Sequence, residues 1–581
     1  MRYFFTRLLP VILVLFFSYW AVEPLFVSGF FPMHDDTQPA RIFEMAKALS
    51  AGQFPVRWVS DLGYGFGYPL FNFYAPFPYY IGGLFNLIGF DAISATKIMF
   101  IIGILFSSVS MFFLGQELAG IFAGLTASIL YLYGPYHAVN IYVRGAVGEF
   151  FAFGFLPLII LGIVKIIKAY SYSSGDPDVT SGESKRWGMI IGSLGLAGIF
   201  LSHNILGMIT GFFLAFFLII YSVYILLKKQ KFSVIFCLLS VILLGFGLSA
   251  FFILPAIAEK KYTKVDTLIT GGSDFHQNFV YPDQLWNSPW GFAGSAPDRA
   301  DGMSFKIGKI HLLIGFISFV SILILYKRRR LARFHFLSSV IFYLLFILSV
   351  FLMLEQSKFL WEIIPGFAYI QYPWRFLNFT LLSLSILPFV LFTSFKKQKQ
   401  LILSVVFIII TLWFNVRYFQ PQMYLPVKPE DYTSDVNLHF KISKISDEYL
   451  PQDFKSIKDI NQIALQGISD TDSVKVKVLK QTPTKKEYLL NMVRSANILT
   501  NITFFPGWKA QIDDKEMKLT EKDGKIELLL PKGEYKLALD FVNTPVRSLA
   551  NTISLFSLIL LVYVSLFGEK LRVWGRNILS K

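Results

Sequence analysis

The run His34-Asp35-Asp36, followed by Thr37-Gln38-Pro39-Ala40-Arg41, puts a histidine and two carboxylates directly after a long apolar stretch. Ionisable groups at the edge of a bilayer are costly to keep there, so they are functional candidates by default. A carboxylate in that position is suited to general-base work: it can take the proton from a hydroxyl as that hydroxyl attacks a sugar. The plainer reading is a helix cap, with Asp36 or Thr37 opening the amphipathic stretch that follows and Asp35 merely solvated. In that stretch Ile42, Phe43, Met45, Ala46 and Leu49 recur at helical spacing before a stop at Gly52. Residues 58–76 come next, with Tyr64, Tyr68 and Tyr74 set among glycines and prolines. So many aromatics in a rigid loop form either an interfacial anchor or a wall on which sugar rings stack. It is not a phosphate-cradling loop, because no Lys-Ser/Thr pair follows it and no strand precedes it.

Other polar motifs carry less. Asp470-Thr471-Asp472 has the spacing of a metal–nucleotide motif but reads as a turn. Asp298 and Asp301 lack the regular oxygen spacing of a calcium loop. Asn501-Ile502-Thr503 is a glycan acceptor only in a eukaryotic host. The single cysteine, Cys237, lies in an apolar run and supports neither a disulfide within the chain nor a thiolate metal site.

The elements that hold these groups follow from composition. Of the 581 residues, 54% are apolar and 16% charged, and the mean hydropathy is +0.54. Soluble domains carry about 25% charged residues, so this chain cannot cover a water-facing surface and reads as a polytopic α-helical membrane protein. About twelve apolar segments are long enough to span a bilayer: 4–27, 97–115, 118–135, 149–169, 187–203, 204–227, 232–255, 307–326, 333–354, 376–395, 400–418 and 548–567. The first is expected to be a retained signal anchor.

The net charge of +16 resolves into topology. Basic clusters at Arg2/Arg7, Lys165/Lys168/Lys185/Arg186, Lys228/Lys229/Lys231, Lys327 to Arg330, Lys396/Lys397/Lys399 and Lys570/Arg572/Arg576 alternate with apolar spans. The positive-inside rule places them all on the cytoplasmic side, with both termini there; no nucleic-acid partner is implied. Residues 78–90 are too short to cross, and counting them would push Lys165 to Arg186 outside. They are expected to form a re-entrant or interfacial helix. A transmembrane part, 1–418, then carries outer loops 28–96, 136–148, 256–306 and 355–375. Residues 419–547 have ordinary charge density and alternating stretches such as Val474-Lys475-Val476-Lys477-Val478, separated by Asp523-Gly524 and Lys532-Gly533. They predict a C-terminal extracytoplasmic β-sandwich-like domain, followed at 548–581 by a final span and a basic cytoplasmic tail.

The chain resembles the GT-C superfamily of polyprenyl-phosphate-sugar glycosyltransferases, and more closely the bacterial 6-pyruvoyl-tetrahydropterin synthase-related membrane proteins and the YfhO-type family. The residues that carry the resemblance are His34-Asp35-Asp36, the aromatic loop, Tyr142-Val143-Arg144-Gly145-Ala146-Val147-Gly148-Glu149, Ser202-His203-Asn204 and Tyr372-Pro373-Trp374-Arg375-Phe376. Phe505-Pro506-Gly507-Trp508, with Pro545 before the last span, extends it to the YfhO-type C-terminal part. No histidine cluster suited to a synthase zinc site is present in the sequence.

The resemblance implies a multi-pass protein of the bacterial cytoplasmic membrane that transfers a hexosyl or pentosyl group, with inversion, from a polyprenyl-phosphate donor to an extracytoplasmic glycan, lipid or protein. Asp35 or Asp36 takes the place of the catalytic acid. Glu149 is the nearest match to a second acid, and with Asp35 could hold Mg²⁺ or Mn²⁺; otherwise it pairs with Arg144. Arg375 and Arg144, outer cations against the positive-inside bias, are the phosphate-holding candidates. His203 is a phosphate contact or a helix cap, and His34, Trp374, Tyr64, Tyr68 and Tyr74 complete the expected substrate surface. His311 is expected to be a satisfied core residue. Two rival classes are a transporter or lipid-linked-sugar flippase, and a non-catalytic envelope-glycan-binding scaffold.

Overall fold

The computed structural model describes residues 8–171, 179–229, 232–269, 273–464 and 467–579. Arg2, Arg7 and Lys231 of the basic clusters lie outside the described residues, as do the side chains of Lys570, Arg572 and Arg576. Nine described helices are long and apolar enough to cross a membrane. They are Ala92–Ala119, Val147–Tyr170, Asn204–Leu227, Ser233–Tyr262, Lys309–Lys327, Arg333–Met353, Pro373–Ser394, Lys397–Tyr418 and Pro545–Phe567. The first expected span is a bent pair, Leu9–Phe17 and Tyr19–Phe26, with 43° between its halves. Two other expected spans differ from that set: Ile121–Leu132 has only 12 residues, and Val179–Ser202 is a helix whose first turns are polar. The segment expected to be interfacial is the 11-residue helix Phe77–Leu87, too short to span.

Small residues let these helices approach closely. A Cβ built on Gly162 would lie 2.6 Å from Gly192 Cα, so the helices Val147–Ser171 and Val179–Ser202 meet backbone to backbone. The span Pro373–Ser394 is almost wholly surrounded by protein. That burial explains how it can carry Arg375 and Asn378: at membrane depth polar groups are kept where they face protein rather than lipid.

The C-terminal strands are β1 (Val474–Gln481), β2 (Lys485–Met492), β3 (Ala496–Thr503), β4 (Trp508–Ile512), β5 (Lys515–Met517), β6 (Thr520–Lys522), β7 (Lys525–Leu530) and β8 (Gly533–Phe541). They form two antiparallel sheets, β1-β2-β8-β4-β5 and β3-β7-β6. Alternation sends Tyr488, Leu490, Leu537, Leu539, Ile526 and Leu528 into a shared core. The strands run from 474 to 541; among the described residues, 419–473 are irregular chain with short helices such as Asn437–Ile442.

The aromatic loop is part of that same core. Trp58 packs edge-on against Trp508 at 5.3 Å and lies 5.1 Å from Phe541. Backbone bonds run from Thr503 N to Phe66 O at 2.8 Å and from Ala464 N to Tyr64 O at 2.9 Å. A buried polar network fastens the other side. Arg547, with no exposed surface, donates to Glu259 Oε2 at 2.9 and 3.0 Å and to Pro506 O at 2.8 Å, while Asn72 Nδ2 and Thr544 Oγ1 also donate to Glu259. Arg57 extends the network to Asn72 and Asn551.

Candidate functional site

The loop that carries His34-Asp35-Asp36 and the Tyr142–Glu149 motif meet through main-chain bonds. His34 N donates to Val143 O at 3.2 Å, Asp35 N to Arg144 O at 2.9 Å, and the Gln38 side chain to Gly145 O at 2.8 Å. Gly145 sits at φ +61°, and a Cβ there would fall 2.1 Å from Met33 Sδ. The glycine is needed both for its backbone conformation and for this contact. Just before it, Val139–Val143 is a single turn of π-helix, a feature concentrated at functional sites.

Glu149 lies at the centre with no exposed side-chain surface. Its Oε2 takes an ion pair from Arg144 Nη1 at 2.9 Å and faces Arg375 Nε at 3.5 Å. Its Oε1 accepts from Tyr136 Oη at 2.6 Å and Asn378 Nδ2 at 2.8 Å. Arg144 Nη1 also donates to Asn140 Oδ1 at 2.6 Å and Tyr136 Oη at 3.1 Å. Arg375 Nη1 donates to Ile370 O and Gln371 Oε1. His203 is close enough to Glu149 and Arg375 to interact with both charges. It also caps the next helix, with Nδ1 accepting from Leu206 N at 3.0 Å. Gly148 permits that approach: a Cβ there would lie 2.4 Å from Ser202 O and 3.2 Å from the His203 ring.

The two aspartates differ. Asp36 Oδ1 accepts from Tyr432 Oη at 2.8 Å, and burial raises its pKa despite that bond. Asp35 is half-buried, its carboxylate makes no side-chain hydrogen bond or ion pair among the described residues, and its charge is felt by Arg144. His34 is exposed and touches Phe292 O at 3.1 Å.

Asp35, Arg144, Glu149, Arg375 and His203 therefore converge, although they come from four separate stretches of chain. Other expected site residues go elsewhere. Trp374 is buried in a stack with Tyr372 and Phe305 at 4.4 and 5.1 Å. Tyr64 and Tyr68 are buried, and Tyr68 Oη accepts from Tyr449 N at 3.1 Å. Tyr74 lies under the Arg41 guanidinium, 4.2 Å from its ring centre. In the aromatic loop Trp58, Tyr64, Phe66, Tyr68, Phe71 and Phe73 are buried in packing, and Tyr74 is partly exposed. His311 is a core residue bonded to Leu130 O, and Asp470 caps the start of β1 by accepting from Val476 N.

The expected Mg²⁺ or Mn²⁺ does not fit. Both oxygens of Glu149 are occupied, one by cations and the other by neutral donors, and two guanidiniums beside a carboxylate repel a divalent ion. Among the described residues no three His, Cys, Asp or Glu side chains are grouped to hold a metal. Sequence reasoning missed Tyr136, Asn140 and Asn378. Asn378, a polar residue inside the apolar segment 376–395, was the available signal; Tyr136 and Asn140 lie in the expected loop 136–148 and gave none.

Fold and site together define a polytopic helical membrane protein with a C-terminal antiparallel β-sheet part and a buried ion cluster where the His34–Asp36 loop, the Tyr142–Glu149 motif and the Pro373–Ser394 span meet. The model of the 6-pyruvoyl-tetrahydropterin synthase related domain, a membrane protein family, matches residues 71–419, more than half the chain, and the chain belongs to that family. An uncharacterized protein of Lactococcus lactis subsp. cremoris (strain MG1363) is 25% identical over 296 residues, which cover 49% of this chain and 44% of that protein. Among solved structures, the Archaeoglobus fulgidus oligosaccharyltransferase in its apo form aligns at 12% identity and TM-score 0.43, over 71% of this chain and 55% of its own. The mycobacterial arabinofuranosyltransferase AftD aligns at 12% identity and TM-score 0.40, over 72% of this chain and 27% of its own.

Proposed function

We propose that the protein is a membrane glycosyltransferase of the bacterial cytoplasmic membrane. It takes a sugar from a polyprenyl-phosphate donor and transfers it, with inversion, to an extracytoplasmic glycan, lipid or protein. Both termini lie on the cytoplasmic side and the β-rich part lies outside. The observation that carries the reading is Glu149 shared between Arg144 and Arg375, with Asp35 held beside them by its backbone N–H on Arg144 O and its carboxylate left open.

The charges support it. Two guanidiniums face the carboxylates of Glu149 and Asp35, and once Asp35 has taken a proton one positive charge is left over, which suits a phosphate leaving group. All side-chain hydrogen bonds of Arg144 among the described residues run through Nη1, so Nε and Nη2 remain for a ligand. Asp35 accepts the proton of the acceptor hydroxyl as its oxygen bonds to the anomeric carbon. The bond from that carbon to the phosphate oxygen breaks, its electron pair leaves with the polyprenyl phosphate, and the arginines hold the growing charge. Asp36, bound to Tyr432, positions the loop. No step is routed through a metal.

The test uses the full chain in nanodiscs with a labelled polyprenyl-phosphate sugar. Asp35→Asn is expected to lower transfer at least about 10²-fold, as loss of a general base does, with the thermal midpoint unchanged. A folded Asp35→Asn protein that transfers at the normal rate overturns the assignment. Flux of the lipid-linked sugar across proteoliposomes without any transfer would favour a flippase instead.

A further inference from the structure

Lys486 breaks the pattern of its strand. On β2 the residues Lys486, Tyr488, Leu490 and Met492 all point inward, and three of the four suit a core. Lys486 is only 6% exposed, and it makes no hydrogen bond or ion pair among the described residues. A buried ammonium without a partner is expensive, so its surroundings matter. It lines a cavity of about 110 Å³ between the aromatic loop and the β-sheets, together with Lys47, Asp61, His439, Gln481 and Asn501. Gln481 and the half-exposed Lys47 stand at its rim.

The charge of the cavity can be counted. Lys47 and Asp61 cancel in an ion pair at 2.5 Å. Asp61 N donates to Glu44 Oε2 at 3.2 Å, and burial beside Asp61 pushes the Glu44 carboxyl well above its usual range; Glu44 does not line the cavity. His439 is buried, its Nδ1 has no partner, and burial lowers its pKa. Lys486 is the charge left over. Tyr488, next along the same face, also has a buried hydroxyl without a partner, beneath the cavity wall at Gly467.

We propose that this cavity binds a small oxyanion, a phosphate or a carboxylate borne by an extracytoplasmic carbohydrate, with Lys486 as its counter-ion and His439 at its side. The site shares no residue with the Glu149 cluster and stands whether or not glycosyl transfer occurs there.

The test uses the full chain in nanodiscs at pH 7 and constant ionic strength. Acetylation of Lys486 is followed by mass spectrometry during titration with inorganic phosphate, glycerol phosphate or glucuronate. Saturable protection of Lys486 of at least fivefold, with exposed Lys480 unaffected, is the expected result. Protection by glycerol phosphate but not glucuronate assigns a phosphate-bearing ligand, and the reverse assigns a uronate. Phosphate held by Arg144 and Arg375 would leave the Lys486 rate unchanged, which separates the two sites. Thermal midpoints supply a second measurement: Lys486→Met should fold, keep or raise its unliganded midpoint, and lose at least tenfold in affinity for the protecting anion. No protection by any of the three anions, or unaltered binding in Lys486→Met, overturns the proposal.

Discussion

Replacing Glu149 by glutamine alters one atom and removes the negative charge that Arg144 and Arg375 share. The carboxylate is fully buried and faces donors on every side: Tyr136 at 2.6 Å, Asn378 at 2.8 Å, Arg144 at 2.9 Å and Arg375 at 3.5 Å. Whichever way the new amide turns, its NH₂ meets at least one donor and one accepted bond is lost. Breaking a buried ion pair by removing one partner costs about 3–5 kcal/mol. Arg144 keeps Asn140 and Tyr136, and Arg375 is held only at 3.5 Å, so the lower end, about 3 kcal/mol, applies. Denaturant unfolding of the full chain, read by tryptophan fluorescence, measures it. Adding Arg375→Met to Glu149→Gln removes one of the stranded cations, and a coupling of at least about 1 kcal/mol should appear in the double-mutant cycle. A Glu149→Gln protein within about 0.5 kcal/mol of wild type, or a cycle with no coupling, would refute the view that this carboxylate is a shared counter-ion.

Gly145→Ala forces a side chain into Met33 at a positive φ, so it should separate the first loop from the Tyr142–Glu149 motif; sugar transfer should be lost, and crosslinking between cysteines introduced in the two loops should fall. Arg547→Met strands Glu259 in the network under the β-sheets and should cost about 3–5 kcal/mol, seen as faster proteolysis between β8 and the final helix. Burial lowers the Lys486 pKa to about 8 against the attraction of Asp61, below the usual 10.5. Between those values the unfolded chain binds more protons, so stability should rise with pH across that window by roughly 3 kcal/mol; Lys486→Met should flatten the profile.

Much of this was legible along the chain. Spans such as Ala92–Ala119 and Arg333–Met353 announce themselves, because the penalty for exposing polar backbone to lipid acts on contiguous residues. The alternation of β1 was visible too, because a strand's period of two is a pattern of adjacent residues. The candidate arginines were also readable because the expected topology set them against the positive-inside bias, and the acids because carboxylates beside apolar spans are costly. The bent first span and the 12-residue helix Ile121–Leu132 were not, because a bend depends on neighbours and not on composition.

Which polar groups answer one another is another matter. Asp36 meets Tyr432 across 396 positions, and Arg547 meets Glu259 across 288. Glu149 was read as either a metal ligand or a partner of Arg144, and only packing around the buried span Pro373–Ser394 added Arg375 and Asn378 and closed its oxygens to a metal. Lys486 drew no attention along the chain; register turned it inward. Sequence alone marked most of the segments that are long and apolar enough to cross a membrane, since hydration cost is a property of the residues themselves. Tertiary structure decided which charges are neutralised, because Coulomb energy and burial depend on distances through space that chain separation does not report.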